Sequence, residues 1–178
     1  AHSVCYAMVS YWTAYLKANY TVEYMVAFMD AATGAPEKLT AAISECRRLG
    51  IAVLAPDVNR GQVGFAVDSN DDGEAIRFGM AAVKNVGVGA VNPIIEERKA
   101  DGLFGSLEDF CKRVDFNSLN KRALESLIKV GAFDRLGDRG AMIEGLDRIM
   151  SLIRRQTLLR QSGQTTMFDM LGDAVNTP

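Results

Sequence analysis

The stretch of sequence that decides the fold is Ala82-Val83-Lys84-Asn85-Val86-Gly87-Val88-Gly89-Ala90-Val91. Helical patterns flank it, so we predict helices over residues 79–85 and 89–100, joined by a turn with glycines two residues apart. Glycine permits positive φ and leaves backbone N–H groups uncovered by a side chain. The second helix adds unpaired N-terminal amides and the positive end of its dipole. Together they predict a small anion site suited to a nucleic-acid phosphate, with Lys84 adding charge.

Two other interpretations of the same spacing were weighed. Gly87 and Gly89 resemble the opening of a dinucleotide-binding fingerprint, but Asn92 stands at the third glycine position and a helix precedes the turn, which disfavours it. A tight turn between two core helices, without a ligand, stays open from spacing alone. A helix-hairpin-helix phosphate site, using residues 84–90, is the third interpretation.

A second unit with the same order of parts follows along the chain. We predict a helix over 121–130 capped by Asn120, a turn over 131–137 and an amphipathic helix over 138–160. Helix-hairpin-helix units often pair through a connecting helix, which residues 106–114 would supply behind an S-x-x-D capping box. The second turn is longer and lacks the glycine spacing. We therefore expect it to serve packing rather than phosphate contact, although Lys121 and Arg122 precede it.

The residues before the hairpin change period twice. Helices are predicted over 4–18, 22–32 and 36–49, and their Met and aromatic stripes are expected to form core. Short β-like runs over 51–54, 63–67 and 75–78 predict a small β meander. Residues 68–73 imitate the start of a calcium-binding loop, but Gly79 stands where that loop needs a glutamate, so a polar hairpin turn is favoured.

Composition limits the class of protein. The chain has 178 residues, 48% of them apolar and 24% charged, which excludes a disordered or collagen-like chain. No apolar run reaches the roughly 20 residues of a membrane span. Cys5, Cys46 and Cys111 are scattered, so a zinc site is not expected and a reducing cytoplasm fits. The chain begins without Met inside a helical pattern, which suggests a piece of a longer protein.

The net charge of −2 argues against nucleic acid only when it is taken over the whole chain. Residues 121–160 hold nine Lys and Arg against five Asp and Glu, for +4, whereas residues 1–78 hold six against nine, for −3. The charge close to the contact surface decides nucleic-acid binding, because salt screens charges that lie farther away than roughly 8 Å. A basic segment can also be an ordinary solvated face, and charge alone does not decide between the two.

The end of the chain is predicted to be a flexible tail over 161–178. Within it Gln164 stands three residues before Met167 and Phe168. In an extended peptide the glutamine would hydrogen-bond a rim while the two apolar side chains fill pockets of a partner. The alternative is that they fold back on the preceding helix.

Matches spread along the chain carry a resemblance to a known family. The segments that carry it are His2-Ser3, residues 11–18, 45–51, 56–59, 76–79, 82–89, 106–110, 120–122 and 131–134. They are collinear, and the chain is identified as resembling bacterial DNA polymerase III alpha subunits, the C-family replicative polymerases. The resemblance implies a mostly α fold with a small β meander: residues 1–50 from the polymerase fingers, 51–78 the meander, 79–160 the tandem helix-hairpin-helix domain, and 161–178 the tail.

The resemblance also implies a function. The domain would bind double-stranded template–primer DNA through backbone phosphates, without reading bases, at Lys84, Asn85, Val86, Gly87, Val88, Gly89, Ala90, Lys121 and Arg122. His2 and Ser3 match a fingers segment near the incoming nucleotide. Gln164, Met167 and Phe168 match the motif that grips the sliding clamp, and other replicase subunits would be reached through the parent chain. The family usually has an acidic residue where Val88 stands.

Catalysis is expected outside this stretch. The family's catalytic carboxylates belong to the palm, upstream, where the whole polymerase would use Mg²⁺ as a DNA-directed nucleotidyltransferase. Here no catalytic residue, metal ligand or cofactor is predicted, so the fragment alone should be inactive. We expect a cytoplasmic location and no membrane partner. The competing hypothesis is a structural scaffold that spaces the fingers from later domains and does not contact DNA.

Overall fold

The structure, a computed structural model, describes residues 2–114 and 119–151. It confirms a mostly helical chain with one small sheet. In chain order its elements are α1 (His2–Asn19), α2 (Thr21–Ala31), α3 (Pro36–Arg48), β1 (Ala52–Leu54), β2 (Ala66–Asn70), β3 (Gly73–Arg77), a 3-10 helix (Met80–Ala82), α4 (Val88–Asp101), α5 (Leu107–Arg113), α6 (Lys121–Lys129) and α7 (Arg139–Glu144). Residues 146–151 are also helical.

The three strands are ordered β1-β3-β2. β2 and β3 form the predicted hairpin, with Asn70 opposite Gly73 and the Asp72 amide donating to Asn70 Oδ1 at 3.1 Å. β1 instead lies parallel to β3 on its other side, so the consecutive order of a meander holds only for the β2–β3 pair. The second strand begins at residue 66 rather than 63. Residues 62–65 are engaged elsewhere, because Met80 donates to Gln62 and the Phe65 amide donates to Asp30.

The core of the described residues consists of two clusters of buried side chains. One joins α2, α3 and the sheet through Met25, Met29, Cys46 and Ile76, all at most 1% exposed. The other joins α4, α5, α6 and α7, and it includes Ile94, Phe110, Leu127 and Phe133. Phe78, at the end of β3, packs against both clusters. The second cluster fixes the helices that surround the predicted hairpin.

The apolar stripe of α1 is exposed, so the prediction that it forms part of the core was wrong. None of its residues is buried, and Trp12 and Tyr11 are 54% and 66% exposed. α1 packs against α2 near its end, and Lys17 Nζ reaches Glu45 Oε1 on α3 at 2.8 Å. A helix with apolar side chains around its circumference is typical of the interior of a larger assembly. The same stripe on α2 is buried at Met25 and Met29, as predicted.

Two other predicted helices differ in extent. The helix over 79–85 is only a 3-10 turn at Met80–Ala82, after which Val83 is extended at φ −71° and ψ 134°. Gly79 packs so closely on Gly64 that a Cβ would lie 2.6 Å from the Gly64 carbonyl carbon, so the position before this turn has no room for a side chain. The helix over 138–160 ends its first part at Glu144, with Gly145 as its C-cap. Residues 152–160 lie outside the described residues.

Side-chain caps define the starts of α5 and α6 as predicted. Ser106 Oγ accepts the Asp109 amide at 3.1 Å, and Asn120 Oδ1 accepts the Ala123 amide at 2.9 Å. Such caps pair amides that a helix start leaves without a partner. Among the described residues, no helix combines the length and apolar character needed to cross a bilayer.

Candidate nucleic-acid interface

The hairpin over residues 83–90 makes its turn at an asparagine. Asn85 has φ +67°, a left-handed conformation that asparagine tolerates better than most residues. Gly87 is the N-cap of α4 in an extended conformation, φ −97° and ψ 165°, and Gly89 lies inside the helix. The expectation that the glycines supply positive φ was therefore wrong. Glycine at these two positions is not needed by the backbone.

What the two glycines provide is open space above the start of α4. A Cβ built on Gly87 or on Gly89 meets nothing within 4 Å. Within the described residues the amides of Gly87, Val88 and Gly89 have no hydrogen-bond acceptor, whereas Ala90 already donates to Gly87 at 3.0 Å. Three N–H groups thus face solvent at the positive end of a 14-residue helix dipole, an arrangement that favours an anion.

A neighbouring helix adds positive charge beside these amides. Asn85 Nδ2 donates to Ser126 Oγ on α6 at 3.2 Å. Arg122, Ser126 and Lys129 follow at intervals of four and three residues, so they share one face of α6. The hydrogen bond therefore turns the basic face of α6 toward the hairpin that carries Lys84.

Most of the charged side chains at the hairpin and on this face of α6 are cationic, and some of them form no ion pair within the described part of the chain. Among the described residues, Lys84 and Arg122 are exposed and form no ion pair, whereas Lys129 pairs with Glu125 at 2.6 Å. The pKa of Glu125 is lowered, first by its hydrogen bond from Lys129 and also by the charges of Lys121 and Arg122. Lys121 is itself paired with Asp147. Of the two cations predicted before the second turn, Arg122 is the one left available.

The second hairpin is closed by its own side chains. Gly131 has φ +87°, and Ala132 donates back to Leu127 at 3.0 Å, which ends α6 in a left-handed cap. Arg139 spans the turn: Nη2 lies 2.5 Å from Asp134 Oδ2, and Nη1 donates to the Lys129 carbonyl at 3.1 Å. Ala132 and neighbouring Phe133 are buried in the core. This hairpin packs into the protein, in contrast to the first.

Residues 57–61 hold the two hairpins in a fixed relation. The Asp57 carboxylate accepts the amides of Asn59 and Arg60 at 2.7 and 3.1 Å and lies 3.2 Å from Arg135 Nε of the second hairpin. The Val58 amide donates to Ala132 at 3.0 Å. Arg98, from the helix that follows the first hairpin, donates to the carbonyls of Val58 and Gly61. One loop is thus bonded to both units.

Not all of the predicted site residues come together. Lys84, Asn85, Gly87, Val88 and Gly89 form one exposed surface, while Val86 and Ala90 are buried beneath it at 5% and 6% exposure. His2 and Ser3 lie at the exposed start of α1, where the His2 and Tyr6 rings meet edge to face, and α1 packs on α2. Gln164, Met167 and Phe168 lie outside the described residues.

A metal site finds no support in the same part of the chain. Residues 2–114 and 119–151 contain no group of three or more His, Cys, Asp or Glu that could hold an ion.

Comparison with known proteins agrees with the paired hairpins. The sequence model of the helix-hairpin-helix motif matches residues 50–142, just over half of the chain. The chain belongs to the helix-hairpin-helix family. The matched range starts at the end of α3 and therefore includes the small sheet as well as both hairpins.

Named relatives confirm the resemblance to DNA polymerase III alpha subunits along nearly the whole chain. It is 42% identical over 175 residues to the DNA polymerase III subunit alpha of Vibrio cholerae and 42% identical over 178 residues to that of Thermus aquaticus. The subunit of Mycobacterium tuberculosis is 37% identical over 182 residues. These matches cover 98–100% of this chain. The chain spans only about 15% of the length of these relatives.

Ser126, Lys129 and the Asp57–Arg135 pair were not singled out from sequence. The helical spacing of Arg122, Ser126 and Lys129 is visible in the sequence, but nothing local indicates which face of α6 turns toward the hairpin. The Asp57–Arg135 pair joins residues 78 positions apart and has no sequence signal at all.

Proposed function

We propose that this chain binds double-stranded DNA through backbone phosphates, without reading the base sequence. The observation that carries the proposal is the set of three unpaired amides at Gly87, Val88 and Gly89, open to solvent and beside the unpaired Lys84. A phosphate oxygen is the acceptor that such a helix start suits best. The second hairpin offers no such site, because Arg139 closes its turn and Phe133 is buried in the core.

The contact surface extends from the hairpin onto α6. Arg122 and Lys129 lie on the α6 face that Ser126 holds against Asn85, so they are placed to contact neighbouring phosphates. These groups are backbone amides and flexible cations, which recognise the sugar–phosphate chain rather than base edges. Val88, exposed at 52% where the family usually has an acidic residue, removes a charge that would repel phosphate.

The relatives indicate the larger protein in which this DNA binding would act. They are DNA polymerase III alpha subunits, so we propose that the duplex is template–primer DNA and that the chain acts in a bacterial replicative polymerase in the cytoplasm. Residues 1–50 would belong to the fingers, with His2 and Ser3 near the incoming nucleotide. The exposed apolar side chains of α1 fit a helix that packs inside a larger fingers domain. Nucleotidyl transfer would belong to the parent chain, and its other subunits would be met through that chain.

A second contact is proposed for the end of the chain. Gln164, Met167 and Phe168 would bind the sliding clamp, with the glutamine on the rim and the two apolar side chains in pockets. The support is the sequence pattern and its place after the helix-hairpin-helix domain.

A duplex titration with the 178-residue chain tests the proposed DNA binding. Fluorescence anisotropy with a labelled duplex of mixed sequence is measured at about 50 and about 200 mM salt, and we expect affinity to fall on the order of tenfold or more. Replacing Gly87 and Gly89 together by Leu covers the amides and should weaken binding more than Lys84→Ala does. Gly105→Leu is the matched control, because a Cβ there also meets nothing within 4 Å. Duplex affinity that changes neither with salt nor on replacing Gly87 and Gly89 by Leu would falsify the proposal.

A further inference from the structure

A groove beside the hairpin has a composition that phosphate binding does not explain. It has a volume of about 450 Å³ and lies between the hairpin and α6. Its lining includes Pro56, Phe78, Val83, Lys84, Lys129 and Val130. Grooves of about 300–1,000 Å³ are the size at which small molecules and anchoring side chains bind. The groove therefore needs its own account.

The floor of the groove is apolar. Pro56 and Val83 are buried and Phe78 is half-buried, while Val130 at the end of α6 is 37% exposed. A deoxyribose–phosphate backbone has no large apolar group to place there, and the bases of a duplex are stacked on one another. The floor instead suits one large aliphatic or aromatic side chain, the kind of anchor that dominates protein interfaces.

The rim of the groove is cationic. Lys84 forms no ion pair within the described residues, and Lys129 is held only by Glu125 on the surface. An exposed pair of this kind contributes at most about 1 kcal/mol, so Lys129 can exchange it for another carboxylate. Charge complementarity therefore favours an occupant that carries carboxylates next to its apolar side chain.

The groove is present before any partner binds. Its two walls are joined by the Asn85–Ser126 hydrogen bond, and the left-handed Asn85 sets the course of the hairpin wall. A preformed site avoids part of the ordering cost of association.

From this combination we infer a docking groove for an acidic peptide segment of a partner protein, with one Phe, Leu or Met side chain on the apolar floor and flanking Asp or Glu residues at Lys84 and Lys129. The inference goes beyond DNA binding but shares Lys84 and Asn85 with it. Bound peptide and bound duplex therefore exclude each other, and each lowers the apparent affinity for the other by competition. A partner carrying such a segment would release the chain from DNA.

A peptide titration without DNA tests the groove. The probe is a fluorescein-labelled hexapeptide, Ser-Asp-Asp-Phe-Asp-Ser, added to the 178-residue chain. We expect at least tenfold weaker binding when its Phe is replaced by Ala, and again when its Asp residues are replaced by Lys. Equal binding of the Phe and Ala peptides, or no binding of the acidic Phe peptide at millimolar concentration, would overturn the inference.

Variants locate the site. Val130→Trp fills the groove and should weaken the peptide at least tenfold, while Val67→Trp, at a position 45% exposed on β2, should change it less than twofold. Lys129→Gln should weaken it severalfold, and Lys99→Gln, an exposed cation on α4, should not. Equal effects of both Trp variants would place the peptide elsewhere and contradict the inference.

Competition separates this inference from the proposed function. Adding unlabelled duplex should displace the labelled peptide, and peptide should displace labelled duplex. One outcome would overturn the peptide assignment and make the groove part of the DNA surface. In it, the duplex binds without changing the peptide signal, and Val130→Trp abolishes duplex binding. Peptide binding that persists while no duplex binding is found would overturn the proposed function and leave the groove standing.

Discussion

The side chain of Asn85 donates to Ser126 Oγ across 3.2 Å, and this bond joins the first hairpin to the helix that opens the second. Asn85 is also the one non-glycine residue with positive φ in the described part of the chain. A single residue thus sets the turn of the exposed hairpin and the direction of the basic face of α6. The relation makes Asn85, rather than a glycine, the conformational centre of the site.

Substitutions at Asn85 should separate its two roles. Asn85→Gly keeps the left-handed backbone and loses only the hydrogen bond, so the free energy of unfolding should fall by about 1 kcal/mol or less. Asn85→Ala also adds backbone strain and should cost about 1–2 kcal/mol more than Asn85→Gly. Urea unfolding followed by circular dichroism measures both. Two variants of equal stability would show that the φ of +67° carries no strain.

Gly89→Ala should stabilise the fold while leaving the amides accessible. Gly89 lies inside α4 with open space at the Cβ position, so alanine adds no clash and lowers the entropy of the unfolded chain. We expect a gain of about 0.5–1 kcal/mol. Duplex affinity should stay within about threefold, in contrast to the Leu variants. Thermal unfolding that shows a loss of stability would contradict the open space described above Gly89.

Asp68 should make stability depend on acid pH. Burial alone would raise the pKa of Asp68, but hydrogen bonds from the Ser69 amide and Arg77, with the charges of Arg77 and Arg60, outweigh it and lower the pKa. A lowered folded-state pKa means that the carboxylate stabilises the fold above the pH at which an unfolded Asp titrates, about 3.9. The contribution is lost as pH falls through the folded-state value.

Asp68→Asn measures this contribution. The variant leaves Arg77, whose side chain is 9% exposed, without its carboxylate, and we expect a loss of about 2–4 kcal/mol at neutral pH. Urea titrations from pH 7 down to about 3 should show the difference between the two proteins shrinking toward zero. Asp71→Asn, in the turn after β2, is the matched control and should change little. A difference that does not vary with pH would exclude the ionised pair as its source.

The three cysteines should differ in reactivity although none is paired. Cys5 is exposed on α1, Cys46 is fully buried, and burial, assisted by the charge of Glu108, raises the pKa of Cys111 to about 12. The thiolate is the reacting species, so Cys111 should stay unreactive at pH 8. We expect one fast thiol in a disulfide-exchange assay of the native protein and three in urea, with Cys5→Ser removing the fast phase. Two fast thiols in the native protein would contradict the described packing.

The clamp proposal predicts a strong effect at two residues. Gln164→Ala combined with Phe168→Ala should abolish binding of a bacterial sliding clamp, measured by calorimetry, because the rim hydrogen bond and the main anchor are lost together. Duplex affinity should stay unchanged, since the proposed phosphate contacts lie at residues 84–90 and on α6. Thr165→Ala is the matched control within the same segment. Clamp affinity equal to that of the unchanged chain would remove this proposal.

The first hairpin shows which features of the site the local sequence predicts and which it does not. The glycine spacing predicts exposed amides at the start of a helix, and the structure confirms them at Gly87, Val88 and Gly89. The same pattern placed the positive φ at glycine and a full helix before the turn, and both were wrong. The extended Val83 ends the turn before the hairpin, and the positive φ lies at Asn85, whose side chain bonds Ser126, 41 positions away.

The helix starts and the hairpin turn of the sheet were predictable because their interactions are local. Ser106 and Asn120 cap helices three residues ahead, and Asn70 pairs within its own turn. The exposure of α1 was not predictable, because an apolar stripe has the same spacing whether or not another element covers it. Tyr11 and Trp12 look like core in the sequence and lie on the surface of the structure.

By itself, the sequence determined the mostly helical class, the helix caps and the paired-hairpin order, since these depend on residues within a few positions of each other. The glycine spacing also indicated that the first hairpin is the open one, and only the tertiary structure decided how the second hairpin is closed. Ala132 and Phe133 pack into the core and Arg139 closes the second turn, whereas a Cβ at Gly87 or Gly89 would meet nothing within 4 Å. The loop at Asp57 then bonds both units into one fixed arrangement. Such contacts join residues tens of positions apart, and local sequence patterns do not encode which distant partners will meet.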